Sequence, residues 1–143
     1  MTTGSNRIGQ LSRSDVRRRF DRAARKFANA DFVHRQAAEG LLERMLPMQL
    51  EVKRVLDAGA ACGHASRVLR RRFRGSHVIS LDLSLDMLRA ARRARSRFSK
   101  ISELQADAIA LPIRSNSIDL VFANLLLPWI DDLGSFLAGV ARV

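Results

Sequence analysis

The chain has no tyrosine, one tryptophan and one cysteine among its 143 residues, and each scarcity narrows the range of functions. A lone cysteine cannot form an internal disulfide, which favours a reducing, cytoplasmic location. With so few aromatic rings, stacking on single-stranded bases has little support. No apolar run approaches the roughly 20 residues that a membrane-spanning helix needs. The sequence therefore predicts a globular protein without a membrane-embedded part.

Acidic residues are also scarce, since 14 Asp and Glu stand against 25 Lys and Arg and give a formal net charge of +11. Such a surface attracts nucleic acid, acidic lipid or an acidic protein. The arginines are dispersed along several predicted helices without aromatic residues between them. We interpret them as solvated helix faces, with an acidic protein partner as the second interpretation. Nucleic acid binding is an alternative supported by charge alone.

Residues 1–50 are predicted to form an N-terminal helical segment. Residues 1–11 are expected to be loosely attached. From Asp15 onward apolar residues recur at helical spacing with arginines opposite them; these residues are Val16, Phe20, Ala23, Ala24 and Phe27. Asp31 is predicted to cap a second helix that Pro47 ends. We expect both helices to pack over a sheet or over its ligand crevice.

Four short strands are predicted in a second region, residues 51–143. The strands are 54–56, 77–81, 102–106 and 118–123, and the polar residues after them are Asp57, Asp82, Asp107 and Asn124. Their alternation with helices predicts an α/β fold with a parallel sheet and right-handed crossovers. Ligands of such sheets bind beyond the carboxyl ends of the strands. The four polar side chains therefore predict a ligand site.

Apolar spacing predicts the helices that connect these strands. Gly75 ends the first of them, and Ser84 is predicted to cap the next. The inner face of that second helix is predicted to consist of Met87, Leu88, Ala91, Ala94 and Phe98. A last helix is predicted from about Ile130 onward. The hydrophobic strand 118–123 is expected to be buried.

A turn of small residues, Ala58 to Gly63, joins the first strand to its helix. Missing side chains let a ligand approach the backbone, and free N–H groups at a helix start favour an anionic group. Asp82 follows Gly63 by 19 residues, near the spacing at which an acidic residue reaches ribose hydroxyls. A carboxylate suits that role because it accepts hydrogen bonds from two neighbouring hydroxyls.

Each of these polar residues also has an ordinary structural explanation. Asp82 can simply end a strand. Asp107 can form a turn instead of accepting from an adenine amino group beside Ala108. Asp57 can organise the glycine turn, accept from a ligand ammonium group or cap a helix. The three histidines, His34, His64 and His77, are interpreted as structural, with His64 exposed to solvent.

This order of motifs resembles the class I S-adenosylmethionine-dependent methyltransferases. Four segments are similar to malonyl-[acyl-carrier protein] O-methyltransferases of biotin synthesis: FDRAA at 20–24, KRVLDAGAACG at 53–63, ISLDLSLDMLRAAR at 79–92 and IDLVFANLLLPWIDD at 118–132. The last segment also resembles related respiratory-complex assembly factors. The resemblance covers nearly the whole chain from Phe20 onward.

The resemblance implies a Rossmann-like sheet with strand order 3-2-1-4, preceded by two helices. It also implies S-adenosylmethionine as co-substrate and no metal. The implied cofactor contacts are Asp57, Gly59, Ala61, Gly63, Asp82, Leu83, Met87, Asp107, Ala108 and Asn124. The implied reaction is methyl transfer to the free carboxylate of malonyl-carrier protein, an acidic protein that suits a basic surface. Because a carboxylate is already anionic at neutral pH, no general base is needed and no catalytic residue is identified.

Two departures from the family pattern weaken this expectation of activity. Ala61 stands where the family has glycine, so its Cβ is expected to strain a positive-φ backbone or crowd the methionine end of the cofactor. The family pattern also continues beyond Val143 with a fifth strand and two more. The expectation is thus the cofactor-binding half of an enzyme, with strand 118–123 as an exposed edge. The alternative is a non-catalytic assembly or binding protein with the same fold.

Overall fold

A computed structural model describes residues 12–143 of the chain. The expectation for residues 1–11 lies outside the described residues. In chain order the elements are α1 (Arg13–Ala30), α2 (Phe32–Arg44), β1 (Arg54–Ala58), α3 (His64–Arg72), β2 (His77–Asp82), α4 (Leu85–Ala94), β3 (Ile101–Gln105), β4 (Leu120–Ala123) and α5 (Leu133–Arg142). Short 3-10 helices, Ala108–Ala110 and Leu127–Trp129, precede β4 and α5 respectively.

The four strands form one parallel sheet in the order β3-β2-β1-β4, as the sequence predicts. β1 occupies the centre, where Val55 is in register with Val78 on one side and with Leu120 on the other. Parallel strands place their carboxyl ends at the same edge of the sheet. The polar residues that follow the strands are therefore brought to one edge, although they are far apart in sequence.

Both faces of the sheet are covered, and four of the five residues of β1 are therefore buried. Successive side chains of a strand point to opposite faces. Val55 accordingly packs with Leu69 and other residues of α2 and α3, whereas Leu56 packs with Phe136 of α5. Their burial holds the end of β1, and hence the glycine turn, in a fixed place.

The N-terminal helices cover the carboxyl edge of the sheet, as expected. α1 begins at Arg13, where Ser12 caps it by accepting a hydrogen bond from the N–H of Asp15 at 3.2 Å. α1 packs along α4. Asp31 precedes α2, but its side chain does not cap the helix and instead pairs with Nε of Arg35 at 2.6 Å. Asp31 is therefore at the predicted N-cap position, but without a capping hydrogen bond from its side chain.

Three further expectations need correction. α4 ends at Ala94, because Arg95 is extended and pairs with Glu103, so helical spacing does not continue to Phe98, which is 95% exposed. α5 begins at Leu133 instead of Ile130, and Asp132 caps it. β4 is also less buried than its composition predicts, since only Phe122 is fully buried. It pairs with β1 alone among the described strands and lies at an edge of the sheet.

Candidate functional site

An open cleft lies at the carboxyl ends of the strands. Its empty volume is about 640 Å³, which includes space open to solvent at the mouth. The predicted site residues that line it are Gly59, Ala61, Asp82, Leu83, Asp107, Ala108 and Asn124. The tertiary structure therefore brings most of the predicted set to one cavity.

The glycine turn forms the floor of this cleft with an unusual backbone. Gly59 and Gly63 have φ of 74° and 71°, and Ala61 has φ of 46°. Positive φ is readily adopted by glycine but costs an alanine free energy. The N–H of Ala61 donates to Oδ2 of Asp82 at 2.8 Å, which holds the strained residue in place. The strain expected at Ala61 is present.

Asp82 connects the glycine turn to the start of α4. Its Oδ1 accepts from the N–H of Ser84 at 2.8 Å, while its Oδ2 accepts from Ala61. Burial raises the pKa of the Asp82 carboxyl, and these two N–H donors act in the opposite direction. Each carboxylate oxygen can accept two hydrogen bonds. Asp82 is thus fixed in orientation and still able to accept from two hydroxyls of a ligand.

Asp57 lies below the turn, away from the main cleft. It is 1% exposed and accepts from Oγ of Ser66 at 2.5 Å, and Ser66 in turn accepts from Ser80 at 2.7 Å. Burial raises its pKa to about 7, although the Ser66 bond acts to lower it. Asp57 borders a smaller cavity shared with Asn124. Its hydrogen bonds favour the turn-organising role over direct ligand contact.

Asn124 follows β4, lines the cleft and has one unsatisfied side-chain atom. Its Nδ2 donates to the carbonyl oxygen of His34 at 2.8 Å. Its Oδ1 is buried and accepts no hydrogen bond from residues 12–143. A buried acceptor without a donor costs free energy. A ligand ammonium or hydroxyl group would satisfy it.

Asp107 follows β3 and is held from two sides. Its Oδ1 accepts from Nη1 of Arg13 at 2.5 Å and from the N–H of Ile109 at 3.1 Å. Arg13 also contacts Asp131. The sequence did not point to Arg13, because a pairing across 94 residues leaves no local pattern.

Gly63 and Met87, which the resemblance places among the cofactor contacts, do not line the cleft. A Cβ at Gly63 would lie 2.8 Å from Cβ of Ala91, so glycine here permits the close approach of α3 and α4. Met87 is fully buried, and its Sδ lies 3.6 Å from Sγ of Cys62. Both residues support the turn from behind.

The cleft has an aromatic wall that the sequence does not single out. Phe20 and Phe27, on the predicted apolar face of α1, line the cleft with Trp129. The rings of Phe20 and Trp129 meet edge to face with centroids 5.0 Å apart. Their segments, FDRAA and LPWIDD, carried the family resemblance and were the available signal.

His64 is not exposed as expected. Its Nε2 is buried without a hydrogen-bond partner in residues 12–143, and it lies 3.9 Å from the carboxylate of Glu39. Burial lowers the pKa of His64, and the charges of Arg35 and Arg67 lower it further. Within the same residues, no cluster of three or more His, Cys, Asp or Glu side chains is arranged to hold a metal ion. No helix there is long and apolar enough to span a membrane.

The sequence profile described as "Methyltransferase domain" matches residues 56–143, a segment that runs from β1 to the last described residue. The chain belongs to this methyltransferase family. The match begins within β1, so α1 and α2 lie outside it, although both contribute residues to the cleft.

Curated relatives of this methyltransferase-family chain are named malonyl-[acyl-carrier protein] O-methyltransferase. The protein of Methylovorus sp. is 39% identical over 139 residues, which cover 93% of this chain and 47% of the relative. That of Halorhodospira halophila is 39% identical over 133 residues, covering 93% and 45% respectively. The chain thus spans about half the length of the curated relatives it matches.

A solved structure supports the same fold. A protein described as a methyltransferase, in complex with the Haloferax volcanii Trm112 methyltransferase activator, is 29% identical with a TM-score of 0.79. The match covers 89% of this chain and 54% of that one. The observed sheet is therefore that of Rossmann-like class I methyltransferases.

Proposed function

We propose that this chain binds S-adenosylmethionine and carries the cofactor-binding half of an enzyme that methylates the free carboxylate of malonyl-acyl-carrier protein. The observation that carries the proposal is the convergence of Asp82, Asp107 and Asn124 on one cleft floored by the glycine turn. The names of the curated relatives support the acceptor.

The cleft offers a chemically suitable residue to each part of this cofactor. Asp82 retains lone pairs for two ribose hydroxyls. Asp107 offers a carboxylate oxygen to an adenine amino group, in a cleft with apolar aromatic walls. Asn124 Oδ1 is a buried acceptor that the cofactor's ammonium group would satisfy. These groups lie at the ends of β3, β2 and β4, in that order across the sheet, which matches the order of adenine, ribose and ammonium group in the cofactor.

S-adenosylmethionine supplies an electrophilic methyl carbon bonded to a positively charged sulfur. The protein's contribution is then to align an anionic acceptor and to exclude water. Phe20, Phe27 and Trp129 provide an apolar wall for this purpose. No side chain has to remove a proton, because the acceptor carboxylate is already ionised. The net charge of +11 favours approach of an acidic carrier protein.

A second candidate is a non-catalytic binding or assembly protein with the methyltransferase fold. Two observations favour it: the alanine with φ of 46° in the turn and the match to about half of each relative. A fold alone does not fix an activity. The two candidates differ in whether methyl ester is formed.

The deciding experiment has two steps on the purified chain. Isothermal titration with S-adenosylmethionine is expected to show binding, and Asp82→Ala to weaken it at least tenfold, since two charge-assisted hydrogen bonds are lost. Asp86→Ala is the matched control, because Asp86 pairs with Arg89 on the exposed side of α4. The second step measures methyl ester formed on malonyl-carrier protein.

Binding with ester formation would support the first candidate. Binding without ester formation would support the second candidate for this chain. If S-adenosylmethionine does not bind, or if Asp82→Ala and Asp86→Ala bind it equally well, the assignment of the cofactor site is wrong.

A further inference from the structure

Arg13, the first residue of α1, spans the mouth of the cleft between two carboxylates. Nη1 donates to Oδ1 of Asp107 at 2.5 Å, and Nη2 donates to Asp131. Asp107 follows β3, whereas Asp131 lies beyond β4. These strands are at opposite edges of the sheet. One arginine from the N-terminal helix therefore joins the two sides of the cleft.

These hydrogen bonds leave the two carboxylate oxygens of Asp107 with different numbers of donors. Oδ1 accepts from Arg13 and also from the N–H of Ile109 at 3.1 Å. No donor from residues 12–143 is hydrogen-bonded to Oδ2. The carboxylate of Asp107 thus has one oxygen that is fully engaged and a second whose lone pairs are available inside the cleft.

We propose that Arg13 is a positioning residue for recognition of the purine base. By engaging Oδ1 of Asp107, it leaves Oδ2 as the acceptor for the exocyclic amino group of adenine. The inference rests on the proposed cofactor and adds to it a residue from outside the matched family segment. A base that lacks this amino group would leave Oδ2 without its donor and would bind less tightly.

The guanidinium is suited to this role because its planar fork donates to two carboxylates at once. Asp131 accepts from Nη2 of Arg13 and so restrains the orientation of the guanidinium plane. A lysine ammonium keeps the charge but lacks the fork. Arg13→Lys should therefore preserve part of the effect, and Asp131→Asn should weaken it without removing the contact to Asp107.

The test compares two ligands that differ only at this group. Isothermal titration measures the dissociation constants of S-adenosylhomocysteine and of its 6-deamino analogue, in which a hydrogen atom replaces the exocyclic amino group of the purine. The wild-type chain is expected to prefer the adenine form by about tenfold or more. In Arg13→Ala the preference is expected to fall to about threefold or less, with Arg13→Lys and Asp131→Asn between these limits.

Arg18→Ala is the matched control, since Arg18 lies on the same helix but pairs with exposed Asp15. It should keep the wild-type preference. Circular dichroism confirms that each variant is folded, and Arg13→Lys or Asp131→Asn decides the question if Arg13→Ala does not fold.

An unchanged preference in Arg13→Ala, with both ligands weakened equally, would mean that Arg13 only closes the cleft, and the inference would be wrong. That result leaves the proposed cofactor intact. If the wild-type chain binds neither ligand, the proposed cofactor and this inference fail together.

Discussion

Ala61 has φ of 46° in the middle of the turn that floors the cleft. An L-residue in this region costs about 1–2 kcal/mol relative to a right-handed conformation. The hydrogen bond from its N–H to Asp82 maintains that conformation. At the scale of single residues, the site is therefore strained at the point where the family has glycine.

Ala61→Gly is expected to raise the free energy of unfolding by about 0.5–1 kcal/mol. Removing the Cβ relieves the backbone strain, and the larger conformational entropy of unfolded glycine offsets part of the gain. Urea denaturation of the two proteins measures the difference. The control is Ala60→Gly, because Ala60 is buried without positive φ. It should lower stability by about 1 kcal/mol, and changes of the same sign in both variants would contradict the explanation.

Asp57→Asn is expected to change the pH dependence of stability. Burial raises the pKa of folded Asp57 from 3.8 to about 7. Because the pKa of Asp57 is higher in the folded than in the unfolded state, the protonated carboxyl stabilises the fold. This contribution is complete below about pH 4 and is lost as the pH rises through 7. Asparagine cannot ionise, so the variant should gain stability relative to wild type between pH 5 and pH 8, by roughly 2–4 kcal/mol.

Urea denaturation at both pH values measures this difference. Asp119→Asn is the control: N–H donors of Arg54 and Lys53 lower the pKa of Asp119, so its titration is complete below pH 5. Its effect on stability should be the same at pH 5 and pH 8. Parallel pH profiles for Asp57→Asn and wild type would show that Asp57 does not titrate in this range.

At the scale of elements, the N-terminal helix is joined to the sheet through the start of α4. Oγ of Ser84 accepts from the N–H of Met87 at 3.1 Å and donates to Oδ1 of Asp21 at 2.5 Å. Ser84 thus caps α4 and also holds α1 beside Asp82. The capping role of Ser84 was predicted from the sequence and is confirmed, whereas the bond to α1 was not predictable.

Ser84→Ala is expected to lower the free energy of unfolding by about 2–3 kcal/mol. The variant loses a helix cap and leaves Asp21 without this donor in a partly buried place. Thermal unfolding followed by circular dichroism measures the loss. Ser12→Ala removes the exposed N-cap of α1 and is expected to lower the free energy of unfolding by only about 1 kcal/mol. Equal losses in the two variants would argue against an energetic role for the Asp21 contact.

At the scale of the whole molecule, one group of exposed apolar side chains follows the edge strand β4, and another lies within residues 32–50. Five large ones lie within residues 125–137: Leu125, Leu127, Trp129, Leu133 and Leu137. An edge strand and a neighbouring apolar surface together favour association between chains. The edge position of this strand was an expectation from the sequence, and β4 is at the edge of the described sheet.

The double variant Leu133→Glu, Leu137→Glu is expected to reduce concentration-dependent association. Sedimentation velocity over a range of protein concentrations measures it. Because both leucines are about half exposed, the melting temperature should change little. Phe32→Glu, Val33→Glu is the matched control, because these two exposed apolar residues begin α2, outside the segment 125–137. Equal reduction by both pairs would show that exposed apolar area in general, and not this segment, drives association.

The alternation of apolar strands and amphipathic helices in the sequence was enough to predict a parallel sheet, whereas the strand order came from the family resemblance. The sequence also identified Asp82, Asp107 and Asn124, since each lies at or just after the end of a strand. The sequence-based predictions failed where a tertiary contact, and not the local spacing of apolar residues, decides the structure. Phe98 continues a helical spacing after the helix has ended. The cofactor roles of these residues and the boundary at residue 50 stay predictions.

The residues that complete the cleft are set by tertiary packing. Arg13 and Phe20 reach it because α1 packs along α4, a contact between segments about 70 residues apart that leaves no trace in local spacing. The same packing assigns Gly63 and Met87 to support behind the turn. A strand end is specified by its neighbours in the chain, whereas a cavity is specified by neighbours in space. For that reason the floor of the site could be predicted from the sequence and its walls could not.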